Sequence, residues 1–275
     1  MRETRGNPRV SVLMGVYYCR EDTGLLRRSV DSILSQSMGD IELLICDDGS
    51  NKQAQTLLEG YAQQDQRVRL IRPGDKLDLA SKLNACLRQA RGKFIARMDD
   101  DDFSRADRFS RQVQAMEDHP EIGFIGCNVR LVCGGVCVGE RRLPEQPEVR
   151  DFYMVQPFIH PALMFRREVL EAVGGYSESP RQRLCEDYDL LLRIYATGHR
   201  GMNLQEPLVD YTIPETAKGN RKMKHRWNET VTRYQRFRQL GILSRAIPYV
   251  IKPLAVGLLP EKLLCRVKRK NDENG

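Results

Sequence analysis

The sequence contains four consecutive aspartates, Asp99–Asp102. Packing that much like charge is unfavourable unless a cation or water offsets it. An isolated run of this kind could be a solvated acidic turn in which Asp102 or Ser104 caps the next helix. This run, however, follows an apolar segment typical of a buried strand. That context favours a site for Mg²⁺ or Mn²⁺, which carboxylates hold together with substrate phosphates.

Two further acidic pairs have residue types suited to binding or catalysis. Asp47 and Asp48 end an apolar run, where they could accept N–H bonds within a turn or hydrogen bonds from a ribose or a base. Glu186 and Asp187 open a segment of helical periodicity, and first-turn acids are favoured by the helix dipole. One of these two could instead be a general base, which needs a carboxylate within hydrogen-bond reach of an attacking hydroxyl.

Strand and helix patterns alternate from residue 10 to residue 98. Short apolar runs predict buried strands, and apolar residues at helical spacing predict the helices between them. The predicted strands are 10–16, 41–46, 67–72 and 93–98, and the predicted helices are 25–35, 53–63 and 79–90. This order predicts an α/β fold with a mainly parallel, Rossmann-like central sheet flanked by helices. Ligands bind at the carboxyl ends of such strands, so Asp47–Asp48 and Asp99–Asp102, which follow two of the strands, should lie at one rim of the sheet.

The pattern after residue 102 is less regular. It predicts a helix over 103–119 and one or two strands within 122–140 around a Gly134-Gly135 turn. Further helices are predicted near 167–173 and over 186–197.

The positive charge is concentrated at the end of the chain. The 275 residues carry a net charge of +7, but residues 217–275 hold 15 Lys or Arg against 4 Asp or Glu, which leaves −4 for residues 1–216. Such a basic segment could bind nucleic acid, an acidic polymer or anionic lipid. Pro248, Pro253 and Pro260 predict that it is broken into short helical pieces.

The composition is that of a globular protein, with 41% hydrophobic and 29% charged residues. The sequence has no run of about 18–20 apolar residues and no apolar leader, so we expect a cytosolic protein. Its eight cysteines are then expected to be reduced thiols. A zinc site at Cys127, Cys133 and Cys137 is disfavoured because their spacing lacks a C-x-x-C pair.

Several segments, taken together and in order, closely resemble glycosyltransferase family 2. They are Val10-Ser11-Val12-Leu13-Met14, Asp47-Asp48-Gly49-Ser50, Gly92 to Asp102, Gly174-Gly175-Tyr176 and Glu186-Asp187-Tyr188-Asp189-Leu190. The resemblance covers about residues 9–200 and implies a nucleotide-sugar-dependent enzyme of the GT-A fold. The segment His160 to Arg167 is similar to bacterial members that build O-antigen, capsule or exopolysaccharide units.

The resemblance implies a donor pocket at the ends of the first two strands. Asp47 would contact the uracil of a UDP-sugar, and Asp48 would support the nucleotide pocket. Val16 and Tyr17 would form its floor.

The resemblance also implies a metal site and a catalytic base. Asp99 and Asp101 match the outer aspartates of the family's D-x-D motif, with Asp99 near the ribose and the metal and Asp101 on the metal. Asp100, in the middle position, is assigned to the donor site, and Asp102 is a further metal ligand or an orienting group. The ion would be Mn²⁺ or Mg²⁺.

Asp187 matches the base that deprotonates the acceptor hydroxyl in a single displacement with inversion at the anomeric carbon. Glu186 would orient a sugar, or be the base if the register is shifted by one.

The implied function is transfer of one sugar from a UDP-sugar to a saccharide, expected to be linked to a polyprenyl diphosphate, in surface polysaccharide synthesis. Two alternatives are a nucleotidyltransferase acting on sugar phosphates and a protein that binds nucleic acid through its basic tail; the acidic body disfavours the latter. We predict a catalytic domain over 1–216, with a nucleotide-sugar half (1–102) and an acceptor half (103–216), and a basic helical extension over 217–275. The extension either packs on the body or binds the anionic inner membrane from its cytoplasmic face.

Overall fold

The computed structural model describes residues 6–215 and 222–258. Nine strands lie in these ranges: β1 Val10–Val16, β2 Ile41–Asp47, β3 Val68–Ile71, β4 Phe94–Arg97, β5 Phe103–Ser104, β6 Ile122–Cys133, β7 Val136–Arg141, β8 Met164–Arg166 and β9 Arg200–Thr212. The α-helices are α1 Gly24–Leu34, α2 Lys52–Gln64, α3 Leu79–Leu87, α4 Arg108–Asp118, α5 Arg167–Ala172, α6 Glu186–Ala196, α7 Met223–Gln239 and α8 Leu243–Gly257.

The first four strands form the predicted parallel half of the sheet, in the order β3-β2-β1-β4. Val12 of β1 pairs with Leu43 on one side and with Ala96 on the other. All residues of β2 and β4 are buried, as expected for parallel strands covered on both faces. The carboxyl ends of β1, β2 and β4 therefore lie side by side, and the residues that follow them share one rim.

The predicted α/β fold with a central sheet flanked by helices is confirmed, but beyond β4 the sheet is mixed, with one parallel pair among antiparallel ones. It continues in the order β8-β6-β9-β5, and β7 pairs with β6. β8 is antiparallel to β4 and β6, whereas β6 and β9 are parallel. β6 and β7 form a hairpin through Gly134 and Gly135, both with positive φ, and a hairpin makes these two neighbouring strands antiparallel.

One prediction on the second half was wrong in detail, and one strand was not predicted. Residues 103–119 are not one helix, because Phe103 and Ser104 pair with β9 and α4 begins at Arg108. The strand that was not predicted is β9, whose 13 residues include the charged Glu206 and Asp210 and also Pro207. Its pattern is interrupted by register shifts against β6, which obscure the alternation of a regular strand.

Helices cover both faces of the sheet. On one face, the apolar sides of α1, α2 and α4 pack on β1, β2 and β4. On the other face, α3, α5 and α6 form the layer, and Phe237 of α7 with Ala246 and Val250 of α8 joins the same core. The catalytic domain over 1–216 and the extension over 217–275 stay predictions as divisions of the chain, as do its proposed halves.

The prediction that prolines break the C-terminal segment into short helical pieces was wrong for α8. Pro248 and Pro253 both lie inside the continuous helix α8, and Pro260 lies outside the described residues. A proline inside a helix costs about 3 kcal/mol because it removes a backbone hydrogen bond. Burial of Ala246, Val250 and Pro253 against the rest of the chain offsets that cost.

No helix within residues 6–215 and 222–258 combines the length and the hydropathy required to cross a membrane.

Candidate functional site

Three of the four consecutive aspartates converge. Asp99, Asp101 and Asp102 each offer a carboxylate oxygen, and these oxygens lie within 4.8 Å of one another. Asp100 is not part of this group. Its charge acts on Tyr18, at the end of β1. The cluster thus contains the three residues predicted to bind the metal and does not include Asp100.

The cluster has the donor set and the electrostatics of a cation site. Oδ1 of Asp102 accepts a hydrogen bond from the Thr212 amide at 2.7 Å, but Oδ2 is buried and has no hydrogen-bond partner among the described residues. Burial, and next to it the charge of Asp99, raises the pKa of Asp102 to about 8. Burial and the charges of Asp99 and Asp101 raise the pKa of Asp100 to about 7. A divalent ion would satisfy the orphaned oxygen and offset the repulsion, so these residues fit Mg²⁺ or Mn²⁺.

Two buried arginines lie beneath the cluster. Arg97, which is 2% exposed, forms an ion pair with Asp99. Arg108 is fully buried and donates to the carbonyl oxygen of Arg97 at 3.0 Å. Burial lowers the pKa of Arg108 to about 10, so it is still a cation at neutral pH. These charges offset part of the carboxylate repulsion and hold Asp99 in place.

A cavity of about 200 Å³ opens at the ends of β1 and β2. Its lining includes Tyr17, Asp48 and Glu186, whereas the aspartate cluster follows β4 at the same rim and does not line it. Lys76 lies over the Tyr17 ring, with Nζ 3.7 Å from the ring centroid. The cavity therefore joins predicted donor-site residues to the helix that carries the predicted base.

Asp48 is fixed by a buried ion pair. Its Oδ1 lies 2.9 Å from Lys82 Nζ, and its Oδ2 accepts the Leu77 amide at 2.8 Å. Lys82 also donates to the carbonyl oxygen of Val16 at 3.0 Å. These contacts fit the predicted supporting role of Asp48 and tie Val16 to it.

Asp47 has the geometry of a turn. Its Oδ1 accepts hydrogen bonds from the amide and the hydroxyl of Ser50, at 2.9 and 2.6 Å, and a longer one from Gly49. The side chain is thereby used within the loop that leads into α2. A contact of Asp47 with uracil stays a prediction.

Glu186 and Asp187 open helix α6. Glu186 is 8% exposed, and burial, with a further contribution from Asp187, raises its pKa. Asp187 is half-buried, and its Oδ2 accepts a hydrogen bond from Nε2 of Gln156 at 3.0 Å. Leu184 lines the cavity two residues before the start of α6, and its backbone φ is 65°. Such a conformation is uncommon for a residue other than glycine and concentrates at functional sites.

Tyr176 lies between the aspartate cluster and α6. Burial raises its pKa, Asp187, Glu186 and Asp99 add to this effect, and Arg97 opposes it. Tyr176 is held in place because its amide donates to Asn84 Oδ1 at 2.9 Å, while Asn84 Nδ2 donates to its carbonyl oxygen at 2.8 Å.

His160 contacts the same tyrosine. Its Nε2 lies 2.9 Å from the Tyr176 hydroxyl. Burial and the charge of Arg97 hold the pKa of His160 well below its usual range, so the imidazole is neutral. His160 is thus a hydrogen-bonding neighbour of the site.

Sequence reasoning missed the supporting residues, in particular Gln156, Arg108, Lys82 and Thr212. None of them lies in a motif, and each reaches the site from a different element of the fold. The Thr212 contact depends on β9, which was not predicted.

This fold and site define a glycosyltransferase of the GT-A type, and the chain belongs to glycosyltransferase family 2. The family model described as "Glycosyl transferase family 2" matches residues 11–174, more than half of the chain. Membership of this family favours sugar transfer over the two alternatives, a nucleotidyltransferase and a nucleic-acid-binding protein.

Two relatives align over nearly their whole length. The chain is 34% identical to EpsE of Bacillus subtilis, across 97% of this chain and 95% of EpsE. It is 26% identical, across 92% of each chain, to the UDP-Gal:alpha-D-GlcNAc-diphosphoundecaprenol beta-1,3-galactosyltransferase of Escherichia coli.

A solved structure confirms the fold. Residues 1–349 of TarS from S. aureus, in complex with UDP-GlcNAc, superpose with a TM-score of 0.67 over 89% of this chain and 73% of that chain, at 17% sequence identity.

Proposed function

We propose that this protein transfers a single sugar from a UDP-sugar, with inversion, to a saccharide carried on a polyprenyl diphosphate, in the assembly of a bacterial surface polysaccharide. The observation that carries the proposal is one rim of the sheet that holds both a cavity lined by Tyr17, Asp48 and Glu186 and, after β4, a cluster of three aspartates. The names of the relatives support the substrate classes, since one relative uses UDP-galactose and a lipid-linked diphosphate acceptor.

In this proposal the donor lies across the rim of the sheet. Val16, Tyr17, Asp47 and Asp48 hold the nucleoside, and Asp99 and Asp100 adjoin the ribose and diphosphate. A divalent ion held by Asp99, Asp101 and Asp102 would supply positive charge against the departing diphosphate.

Asp187 acts as the base. The acceptor hydroxyl oxygen forms a bond to the anomeric carbon as the bond from that carbon to the UDP oxygen breaks, and the hydroxyl proton passes to Asp187. Attack from the face opposite UDP converts an α-linked donor into a β-linked product. Glu186, on the cavity wall, orients a sugar.

The chemical test uses a panel of UDP-galactose, UDP-glucose, UDP-N-acetylglucosamine and GDP-mannose, with Mn²⁺ and GlcNAc-diphosphoundecaprenol as a first acceptor. We expect UDP release and a product whose new linkage is β by NMR coupling constants. An α-linked product would exclude inversion, and release of pyrophosphate would indicate nucleotidyl transfer.

We further propose that the enzyme works at the cytoplasmic face of the inner membrane and docks there through α8. One side of α8 is buried, but its other side and the residue after the helix expose mainly apolar side chains, with Ser244 and Arg245 as the polar members: Ser244, Arg245, Ile247, Pro248, Ile251, Ala255 and Leu258. We call this side the α8 outer face. Its large members Ile247, Ile251 and Leu258 are 49%, 52% and 78% exposed.

Charge and a neighbouring segment support a bilayer as the occupant of the α8 outer face. Residues 222–258 contain eight Lys or Arg and one acidic residue, Glu229. Lys252 donates to the carbonyl oxygen of Met154, so the exposed side chain of Met154 lies beside the helix. An apolar face on a basic segment suits an anionic interface, where each basic group contributes up to about 1 kcal/mol.

We expect the double substitution Ile247→Ser with Ile251→Ser to weaken flotation on phosphatidylglycerol vesicles by about ten-fold or more, because two half-exposed isoleucines no longer enter the interface. The matched control is Val136→Ser with Val138→Ser on β7, where the valines are 65% and 56% exposed. Equal flotation of wild type and both variants would refute membrane docking by this face. A dimer that dissociates in the isoleucine variant, without vesicle binding by wild type, would assign the face to a second copy.

A further inference from the structure

Gln156 contacts the proposed base directly. Its Nε2 donates to Asp187 Oδ2 at 3.0 Å and to the carbonyl oxygen of Phe158 at 3.2 Å. Since both partners are acceptors, they fix which end of the amide faces Asp187. The other carboxylate oxygen of Asp187 accepts the amide of Tyr188 at 2.8 Å. Both oxygens of Asp187 are therefore held by hydrogen bonds.

The segment before Gln156 is anchored from the C-terminal helices. Three successive carbonyl oxygens accept hydrogen bonds: Phe152 from the Tyr188 hydroxyl at 2.6 Å, Tyr153 from Arg233 of α7 at 2.7 Å and Met154 from Lys252 of α8 at 2.9 Å. These bonds restrict the backbone that carries the Gln156 side chain to Asp187.

Aromatic packing strengthens the same anchor. The ring of Tyr153 stacks on Tyr249 of α8, with centroids 5.0 Å apart and planes at 23°. Its edge also contacts Phe237 of α7 at a centroid distance of 5.5 Å. The 152–156 segment thus lies between α6, which carries Asp187, and the two C-terminal helices.

The helix that carries Asp187 is tied to α7 as well. Arg236 of α7 donates to Oδ1 of Asp189 at 2.7 Å, and Arg193 donates to Oδ2 of the same fully buried carboxylate at 2.7 Å. Asn228 of α7 donates to the carbonyl oxygen of Pro180, in the loop before α6, at 3.1 Å. Helix α7 therefore holds both α6 and the segment that leads to Gln156.

We propose that Gln156 is a positioning residue that orients the Asp187 carboxylate toward the acceptor hydroxyl, and that the C-terminal helices hold Gln156 for this task. The inference rests on the proposed role of Asp187. In the variant Gln156→Met, which keeps the length of the side chain, Asp187 loses the donor at Oδ2 and is held by the Tyr188 amide at Oδ1 alone. Misplacement of a catalytic group by about 1 Å can cost a factor of about a hundred in rate.

The test compares Gln156→Met and Gln156→Glu with Gln205→Met. Gln205 is the control because its Nε2 also donates to two carbonyl oxygens, those of Leu143 and Asn203, although Gln205 is exposed whereas Gln156 is half-buried. We expect kcat, with the fastest UDP-sugar of the panel above, to fall about ten- to a hundred-fold in Gln156→Met. It should fall further in Gln156→Glu, which sets a second carboxylate against Asp187. The KM for the donor, the Kd for UDP and the thermal unfolding midpoint of Gln156→Met should stay close to wild type.

Two outcomes would overturn the inference. An unchanged kcat in Gln156→Met, or an equal loss in Gln205→Met, would show that Gln156 does not act through Asp187. The variant Asp187→Asn separates this failure from that of the proposed function. If Asp187→Asn is inactive while the kcat of Gln156→Met is unchanged, only the positioning role of Gln156 is refuted. If Asp187→Asn keeps its turnover, both the assignment of Asp187 as the base and the positioning role of Gln156 are refuted.

Discussion

Replacement of Asp187 by Asn is expected to lower the turnover of sugar transfer by about 10²- to 10⁴-fold, the usual contribution of a general base. The amide has nearly the shape of the carboxylate but cannot accept the proton of the acceptor hydroxyl. Asp187 does not line the cavity that contains Tyr17 and Asp48, so UDP binding should be preserved. Initial rates of UDP release, together with calorimetric titration of UDP, measure the two effects separately.

The control for this prediction is Glu186→Gln at the neighbouring position. Glu186 lines the cavity, so its substitution should raise the KM for the donor sugar more than it lowers kcat. The opposite result, with Glu186→Gln inactive and Asp187→Asn active, would make Glu186 the base. It would also show that the family motif is shifted by one residue in this chain.

Loss of the metal site is the second change with a large expected effect. Both Asp101→Ala and removal of divalent ions with EDTA should reduce turnover by at least about a hundred-fold, because charge stabilisation by a metal is worth several kcal/mol. Added Mn²⁺ or Mg²⁺ should restore the chelated wild type but not the variant. The Asp101 backbone contact with Thr212 survives in the variant, since Thr212 Oγ1 donates to the carbonyl oxygen of residue 101.

A nearby aspartate provides the control for the metal prediction. Asp107 is exposed and precedes α4, but its side chain makes no capping hydrogen bond. Asp107→Ala should therefore keep full activity and the same response to EDTA. Activity of the chelated wild type equal to that of the untreated enzyme would contradict a metal-dependent reaction.

The parallel half of the fold was predictable because its strands are buried on both faces. Continuous apolar runs such as 10–16 and 41–47 have few alternatives to an internal strand, and short helical connections then determine their order. The positions of Asp48 and Asp99 at one rim follow from this topology alone.

The second half was less predictable because its pairing depends on distant contacts. β9 is interrupted by Pro207 and by irregular register against β6, so no local period indicates a strand. Helix α8 contains Pro248 and Pro253, and its stability comes from packing that the local sequence does not reveal.

The carboxylates of the site could be found from the sequence, but the residues that support them could not. Runs of acidic residues at strand ends stand out because like charges are rarely adjacent without a purpose. The role of Gln156 depends on a hydrogen bond across 31 positions, and that of Lys82 on an ion pair across 34. Neither residue belongs to a motif, so only the three-dimensional structure reveals these contacts.

The most direct measurement of the central claim is calorimetric titration of UDP and GDP into wild type and Asp101→Ala, each with and without Mn²⁺. A UDP-sugar enzyme with its metal at the aspartate cluster should bind UDP more tightly than GDP, should need Mn²⁺ to do so, and should lose this binding in Asp101→Ala. Preference for GDP would replace the proposed donor class. If neither nucleotide bound wild type, or if UDP binding were the same with and without Mn²⁺ and in both proteins, the proposed donor and metal site would be wrong.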